Sequence, residues 1–245
     1  MYPLTKNFPK PLLQVAGRPV LDYLMDQIIG LPQMESIHVV TNARFFAHFD
    51  EWRYKWQRET EQRGITLHLY NDGSTDNENR LGAVADLAFV LHSLETLKGA
   101  LVAAGDNIFR FSLRPYWQKF LDNNKNYLLA IPETDPSRLW RTGILELSLD
   151  DRVLQFHEKP KNPPSFWTCP AVYFLQPFAL LRVDEYLSQP DAQDAPGYFI
   201  SYLVTHEPVY AIKVKGKTWD IGSIESYEEA NVILSREPVI LPEVE

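Results

Sequence analysis

The chain has a single cysteine, Cys169, which excludes an intrachain disulfide and a thiolate metal cluster. No apolar run approaches the roughly 18 residues that a membrane-spanning helix needs, and the first residues lack the hydrophobic core of a secretion signal. Positive charge is in deficit: 24 Lys and Arg stand against 32 Asp and Glu, for a net charge of −8. Neither a nucleic acid nor an anionic membrane is therefore expected as the main partner. Internal repeats, low-complexity tracts and long linkers do not occur. The six histidines contain no i, i+4 pair and have no cysteine partners, so they read as strand, helix-face or surface residues rather than metal ligands. There is no Gly-x-Ser-x-Gly elbow on which serine hydrolysis could rest. What these absences leave is an ordinary cytoplasmic globular protein, 45% hydrophobic and 23% charged, long enough at 245 residues to bury a full core.

Short apolar strands alternate with helical patterns through the first half. Strands are expected at 36–41, 65–70, 99–104 and 126–131, and helices from about 19, over 43–63 and over 81–97. The 43–63 helix carries an aromatic stripe, Phe45, Phe49, Trp52 and Trp56, at helical spacing, which predicts a buried face. This βαβαβ rhythm implies a mostly parallel sheet with helices on both faces, whose ligands bind at the carboxyl ends of the strands. The second half changes character. Closely spaced strands at 143–148, 153–157 and 171–175 predict a small antiparallel extension. Helices at 177–187 and 198–206, a strand at 209–214 and a helix at 224–234 complete the pattern. One domain is expected over 1–236, with a Pro/Glu-rich tail at 237–245 expected to fray.

Four short segments hold residues suited to chemistry on phosphates. Pro3 and Pro9 bracket a loop that places Lys10 just ahead of an apolar run, Pro11 to Val15. Asp106 follows a strand, and Gly105 before it lets a ligand approach the backbone. A hard divalent ion takes one or two carboxylates plus substrate phosphates, so Asp106 is either such a ligand or a turn residue capping the next helix. Asp220 is a second carboxylate at a strand end, followed closely by Gly222. Lys159, in Glu158-Lys159-Pro160, is either a fixed cation for a phosphate or a surface lysine beside a turn. Gly82 opens the 81–97 helix and serves either a ligand's approach or close helix packing.

Taken in order, Tyr-Pro-Leu-Thr…Pro-Lys10-Pro-Leu, Gly105-Asp106-Asn107, Glu158-Lys159-Pro160 and Trp219-Asp220-Ile221-Gly222 resemble the sugar-phosphate nucleotidyltransferases across the whole chain. The resemblance implies an α/β fold: a Rossmann-like three-layer sandwich around a mostly parallel sheet. It implies nucleotidyl transfer from a nucleoside triphosphate to a sugar 1-phosphate, with Mg2+ held by Asp106 and Asp220. By the same resemblance Lys10 contacts the nucleotide phosphates and Lys159 the sugar phosphate. Gly143 and Glu158 would hold sugar hydroxyls, Gly82 would lie against the base, and Asn107 is grouped with the substrate contacts. Members of the family are often oligomeric, which makes a homo-oligomer the family-based expectation.

In this family a strand and a Gly-x-Gly/Ala-Thr-Arg-Leu turn stand ahead of the Tyr-Pro-Leu-Thr segment. The first strand and the glycine loop are therefore expected to be missing here, and with them donors worth roughly 10²–10³ each in rate. Impaired activity follows as an expectation, and a non-catalytic, sugar-nucleotide-binding regulatory subunit is the competing one.

Overall fold

The computed structural model describes residues 1–76 and 78–237; the tail expected at 237–245 lies, apart from Glu237, outside the described residues. After a 3-10 turn at Lys10–Leu12, the elements run β1 (Gln14–Val15), β2 (Arg18–Pro19), α1 (Val20–Ile28), β3 (Ser36–Thr41), α2 (Phe46–Gln62) and β4 (Thr66–Asn71). They continue with α3 (Ala83–Ser93), β5 (Ala100–Ala103), β6 (Asn107–Phe109), α4 (Arg114–Leu121), β7 (Asn126–Pro132), α5 (Pro136–Leu139), β8 (Gly143–Leu147) and β9 (Val153–Glu158). The chain then forms β10 (Trp167–Cys169), β11 (Val172–Leu175), α6 (Pro177–Leu180), α7 (Arg182–Leu187), α8 (Pro196–His206), β12 (Val209–Lys213), β13 (Thr218–Asp220) and α9 (Ile224–Arg236). These elements cluster into two compact units. The first comprises Met1–Arg80, Gly105–Pro115 and the chain from Gly216; the second comprises Leu81–Ala104 and Tyr116–Lys215.

In the first unit β3 and β4 pair in parallel, from Ser36 with Thr66 to Thr41 with Asn71. Helix α2, which connects them, begins at Phe46, three residues later than the expected start at 43, after a turn in which the Asn42 side chain accepts the Phe45 N–H at 2.9 Å. It ends before Gly64, whose φ of +71° turns the chain back toward β4. Phe49, Trp52, Trp56 and Thr60 are its buried residues, at the spacing of one helical face. The indole N–H groups of Trp52 and Trp56 both donate to Asp22 Oδ1 on α1, at 2.8 and 2.9 Å, so one carboxylate oxygen ties the two helices together. A second apolar cluster joins Val15, Val20, Tyr23, Ile108, Trp219, Ile221, Ala230 and Leu234, and so binds β6, β13 and α9 to the N-terminal segment. A Ser223–Ser226 capping box starts α9.

The second unit is built on one sheet in the order β5-β11-β7-β10-β8-β9, with β12 beside β7. β7 is buried from Asn126 through Ile131 and reads as a continuous apolar run because both faces are covered. Asn126 is tolerated there because its amide donates to the Pro208 carbonyl and its oxygen accepts the Gln176 N–H. The α/β class expected from the sequence holds, but the sheets are mixed rather than mostly parallel. β11 lies between β5 and β7 and is antiparallel to both, while β12 is parallel to β7. β5, β7 and β12 thus point the same way, as the βαβ rhythm requires, and β11 is inserted among them against the grain. Together with the β8–β9–β10 extension, this makes antiparallel pairs the majority among the described strands. The expected 177–187 helix is two short ones, α6 and α7, separated at Leu181.

Replacing Asp22 with alanine leaves two buried indole N–H groups without their acceptor, each costing about 1–3 kcal/mol. Asp22→Ala should lower unfolding free energy by about 2–4 kcal/mol in urea denaturation followed by tryptophan fluorescence, and Asp22→Asn, which keeps an acceptor oxygen, should recover much of the loss.

Candidate active site

Lys10 opens the 3-10 turn between Pro9 and Pro11, and the buried Leu12 and Leu13 anchor the turn from below. Gly105 passes directly beneath it. A Cβ there would stand 3.3 Å from Leu21 Cδ1 and 3.5 Å from Pro11 Cβ, so the segment carrying Asp106 runs within van der Waals reach of the turn carrying Lys10.

The next element after Asp106 is the strand β6 and not a helix, which removes the helix-capping reading of this residue. β6 pairs antiparallel with β13, setting Phe109 opposite Thr218, Ile108 opposite Trp219 and Asn107 opposite Asp220. The Ile221 N–H donates to the Asp106 carbonyl at 3.0 Å and extends this pairing to the aspartate itself. Trp219 and Ile221 point into the core, so the two-residue period of the chain turns Asp220 outward. The result is a three-membered charge cluster. The Lys10 ammonium forms an ion pair with Asp106 Oδ2 and lies 3.9 Å from Asp220 Oδ1, and the Asn107 amide donates to Asp106 Oδ1 at 3.0 Å. Asn107 is almost completely buried, which makes its amide a fixed support. Gly222 keeps the space beside Asp220 open, since a Cβ there would meet Asp220 Oδ2 at 3.1 Å.

Two carboxylates delivered by adjacent strands suit a hard divalent ion of the Mg2+ type, which takes one or two protein carboxylates and completes its shell with phosphate oxygens and water. Among the described residues no group of three or more His, Cys, Asp or Glu side chains is arranged around a common metal position, so phosphates and water would have to supply the rest.

The second unit holds the other sequence-derived residues. Gly143 on β8 stands between Glu158 on β9 and Cys169 on β10. It has no room for a side chain, since a Cβ would fall 2.4 Å from Cζ of Phe156. The Glu158 side chain is only 11% exposed and packs on the first turn of α8, where a Cβ at Gly197 would lie 1.9 Å from Oε2. Lys159 Nζ reaches Glu158 Oε1 at 3.7 Å, from a backbone in the left-handed region at φ +46° that few non-glycine residues adopt. Burial pushes the Glu158 carboxyl above its ordinary range, and the neighbouring Lys159 charge only partly opposes this. Burial also raises the Cys169 thiol and the Tyr173 hydroxyl, with the Glu158 charge adding to both. Cys169 is thus a protonated packing residue rather than a nucleophile.

Gly82 sits at the start of α3 with φ +97°. Asp194 accepts the Ala83 N–H there at 2.8 Å, and a Cβ on Gly82 would fall 2.2 Å from the same Oδ1. The segment 194–197 therefore touches both Gly82, through Asp194, and Glu158, through Gly197. Sequence reasoning missed it; its only signal was Pro196, a residue favoured at the first position of a helix.

A model of the nucleotidyl transferase family matches residues 1–237. The chain belongs to the nucleotidyl transferase family. Solved structures with the same fold include a Bacillus anthracis protein assigned as a glucose-1-phosphate thymidylyltransferase, in complex with sucrose. It is 20% identical, with a TM-score of 0.81, covering 97% of this chain and 90% of that one. A UDP-glucose pyrophosphorylase complexed with UDP-glucose is 16% identical with a TM-score of 0.77, covering 97% and 94%. The UDP-glucose pyrophosphorylase from Acinetobacter baumanii is 17% identical with a TM-score of 0.71, covering 97% and 90%. At these identities the likeness is one of fold. In this family member, Lys10, Asp106, Asn107 and Asp220 converge in the first unit, and Gly143, Glu158 and Lys159 in the second.

Burial of Glu158 carries a pH signature. Because its folded-state pKa is raised, its contribution to stability is fully present below the ordinary glutamate range and is lost as pH rises through the higher folded value. Glu158→Gln should therefore raise the melting temperature at about pH 8 and leave it unchanged at about pH 3, in thermal denaturation across pH.

Proposed function

We propose that this chain transfers a nucleotidyl group from a nucleoside triphosphate to a sugar 1-phosphate, giving an NDP-sugar and pyrophosphate. The observation that carries the reading is the convergence of Lys10, Asp106 and Asp220, from three separate stretches of the chain, on one charged cluster. Family membership and the fold shared with UDP-glucose pyrophosphorylases support it.

The chemistry is a direct displacement. A phosphate oxygen of the sugar 1-phosphate forms a bond to the α-phosphorus as the bond from that phosphorus to the β-phosphate oxygen breaks, and pyrophosphate leaves with the electron pair. The attacking phosphate is already ionised at neutral pH, so no protein base or nucleophile is needed. The protein's task is alignment and neutralisation of charge. Lys10 presents a fixed cation to the triphosphate and Lys159 one to the sugar phosphate. Asp106 and Asp220 would hold a divalent ion, which when bound supplies further neutralisation at the phosphates. Asn107 keeps Asp106 oriented through its amide. Glu158 and the backbone at Gly143 offer acceptors to sugar hydroxyls; Gly82 is assigned to the base by the family resemblance alone, since the Asp194 carboxylate fills the space beside its Cα.

Pyrophosphate release, measured with Mg2+ and a panel of triphosphates and sugar 1-phosphates, tests the reading. Asp106→Asn and Asp220→Asn should each lower kcat by about 10²–10³-fold while circular dichroism shows the fold retained. Lys159→Met should raise KM for the sugar 1-phosphate by about 10–100-fold and leave KM for the triphosphate unchanged. Absence of turnover with any substrate pair, alongside retained binding of an NDP-sugar, would overturn the transferase reading in favour of a regulatory binding subunit.

A further inference from the structure

The two oxygens of Asp106 are committed in different ways. Oδ1 accepts the Asn107 amide, which is buried and fixed in register opposite Asp220. Oδ2 faces the Lys10 ammonium, and that ammonium also approaches Asp220 Oδ1. Of the two oxygens, Oδ2 is thus the one at which an incoming cation meets the Lys10 ammonium. Lys10 does not arrive there by a chance swing of a long side chain. Pro9 and Pro11 flank it, Leu12 and Leu13 are buried beneath it, and the Gly105 segment packs against Pro11. The turn thus fixes the backbone from which the lysine side chain reaches the carboxylate pair, and ordering of its own rotamers is offset by the two ion contacts.

From this geometry we propose that Lys10 is a tethered counter-ion for the Asp106–Asp220 pair, and that a divalent ion binds by displacing its ammonium, which then serves the nucleotide phosphates. The proposal rests on the reading of Asp106 and Asp220 as metal ligands. A monovalent ammonium and a divalent ion compete for Asp106 Oδ2, because the two cations repel at ion-pair distance. Binding of the ion alone must break the Lys10 ion pairs and is correspondingly weak. When phosphates are present the displaced ammonium gains new partners, so the ion and the nucleotide favour each other's binding through Lys10. Linkage requires that coupling to be reciprocal.

The test is Mn2+ binding to the full chain without nucleotide, read by electron paramagnetic resonance or calorimetry. Lys10→Met should bind Mn2+ about five- to thirtyfold more tightly than the unaltered protein, within the range of a lost charge–charge competitor. It should also show a smaller gain in Mn2+ affinity on adding triphosphate. Equal or weaker binding by Lys10→Met, with Asp106→Asn abolishing binding in either background, overturns the proposal and leaves the metal reading intact. Failure of the unaltered protein and of Lys10→Met to bind Mn2+, with or without triphosphate, overturns both. A second measurement needs no variant: acylation of Lys10, quantified by peptide mass spectrometry, should speed up several-fold when Mn2+ alone is added. An unchanged or slower rate overturns displacement.

Discussion

Three register pairs, Thr218 with Phe109, Trp219 with Ile108 and Asp220 with Asn107, join segments more than a hundred residues apart. The rest of the first unit's chemistry depends on this short antiparallel contact. It places Asp106 and Asp220 beside each other, and its inward residues, Ile108 and Trp219, are members of the apolar cluster that also takes in Val15 and Val20 from the N-terminal segment. Burial of those side chains supplies the driving force, at roughly 25 cal/mol per Å² of apolar surface removed from water. The pairing then spends part of that gain on holding two like charges together. A slip of one residue would turn Asp220 into the core and Trp219 out, so hydrophobic burial and chemical placement select the same register.

Two carboxylates at close quarters are unfavourable without a cation, and the structure supplies one from a third stretch of chain. Lys10 meets both, and the buried Asn107 amide holds the other oxygen of Asp106. The second unit resolves a comparable problem differently. Glu158 is largely desolvated, Lys159 gives only partial compensation, and the carboxyl responds with a raised proton affinity. The first cluster sets one cation against two carboxylates; the other retains the electrostatic cost of a desolvated carboxyl.

Much of the element pattern was legible in the residues. Strand β3 falls where the run Ser36 to Thr41 placed it, and β4, β5, β7, β8, β9, β11 and β12 agree to within one or two residues. Of the stripe Phe45, Phe49, Trp52 and Trp56, the last three are buried as their spacing required, while Phe45 is half-buried and stands just ahead of the helix. Sheet direction was less legible. The close spacing of the strands at 143–148, 153–157 and 171–175 pointed to antiparallel pairing, but nothing in the residues 172–175 announces that β11 would enter between β5 and β7 rather than join β8 and β9. Short elements such as β6, β10 and the β1–β2 pair escaped because two or three residues carry no measurable period.

The sequence by itself determined the chemical inventory: four short segments bearing Lys10, Asp106, Lys159 and Asp220, each set against prolines or glycines that fix the local backbone. It also determined the amphipathic faces that drive α/β folding, because periodicity is a property of neighbours in the chain. Tertiary structure alone decided which charges meet. Lys10 against Asp106 and Asp220, Asp22 between two indoles, Asp194 at Gly82 and Glu158 against Gly197 are all contacts between distant segments. Such contacts depend on strand register and on glycine clearances of a few ångströms. Neither is encoded in local spacing; both are set when the chain packs.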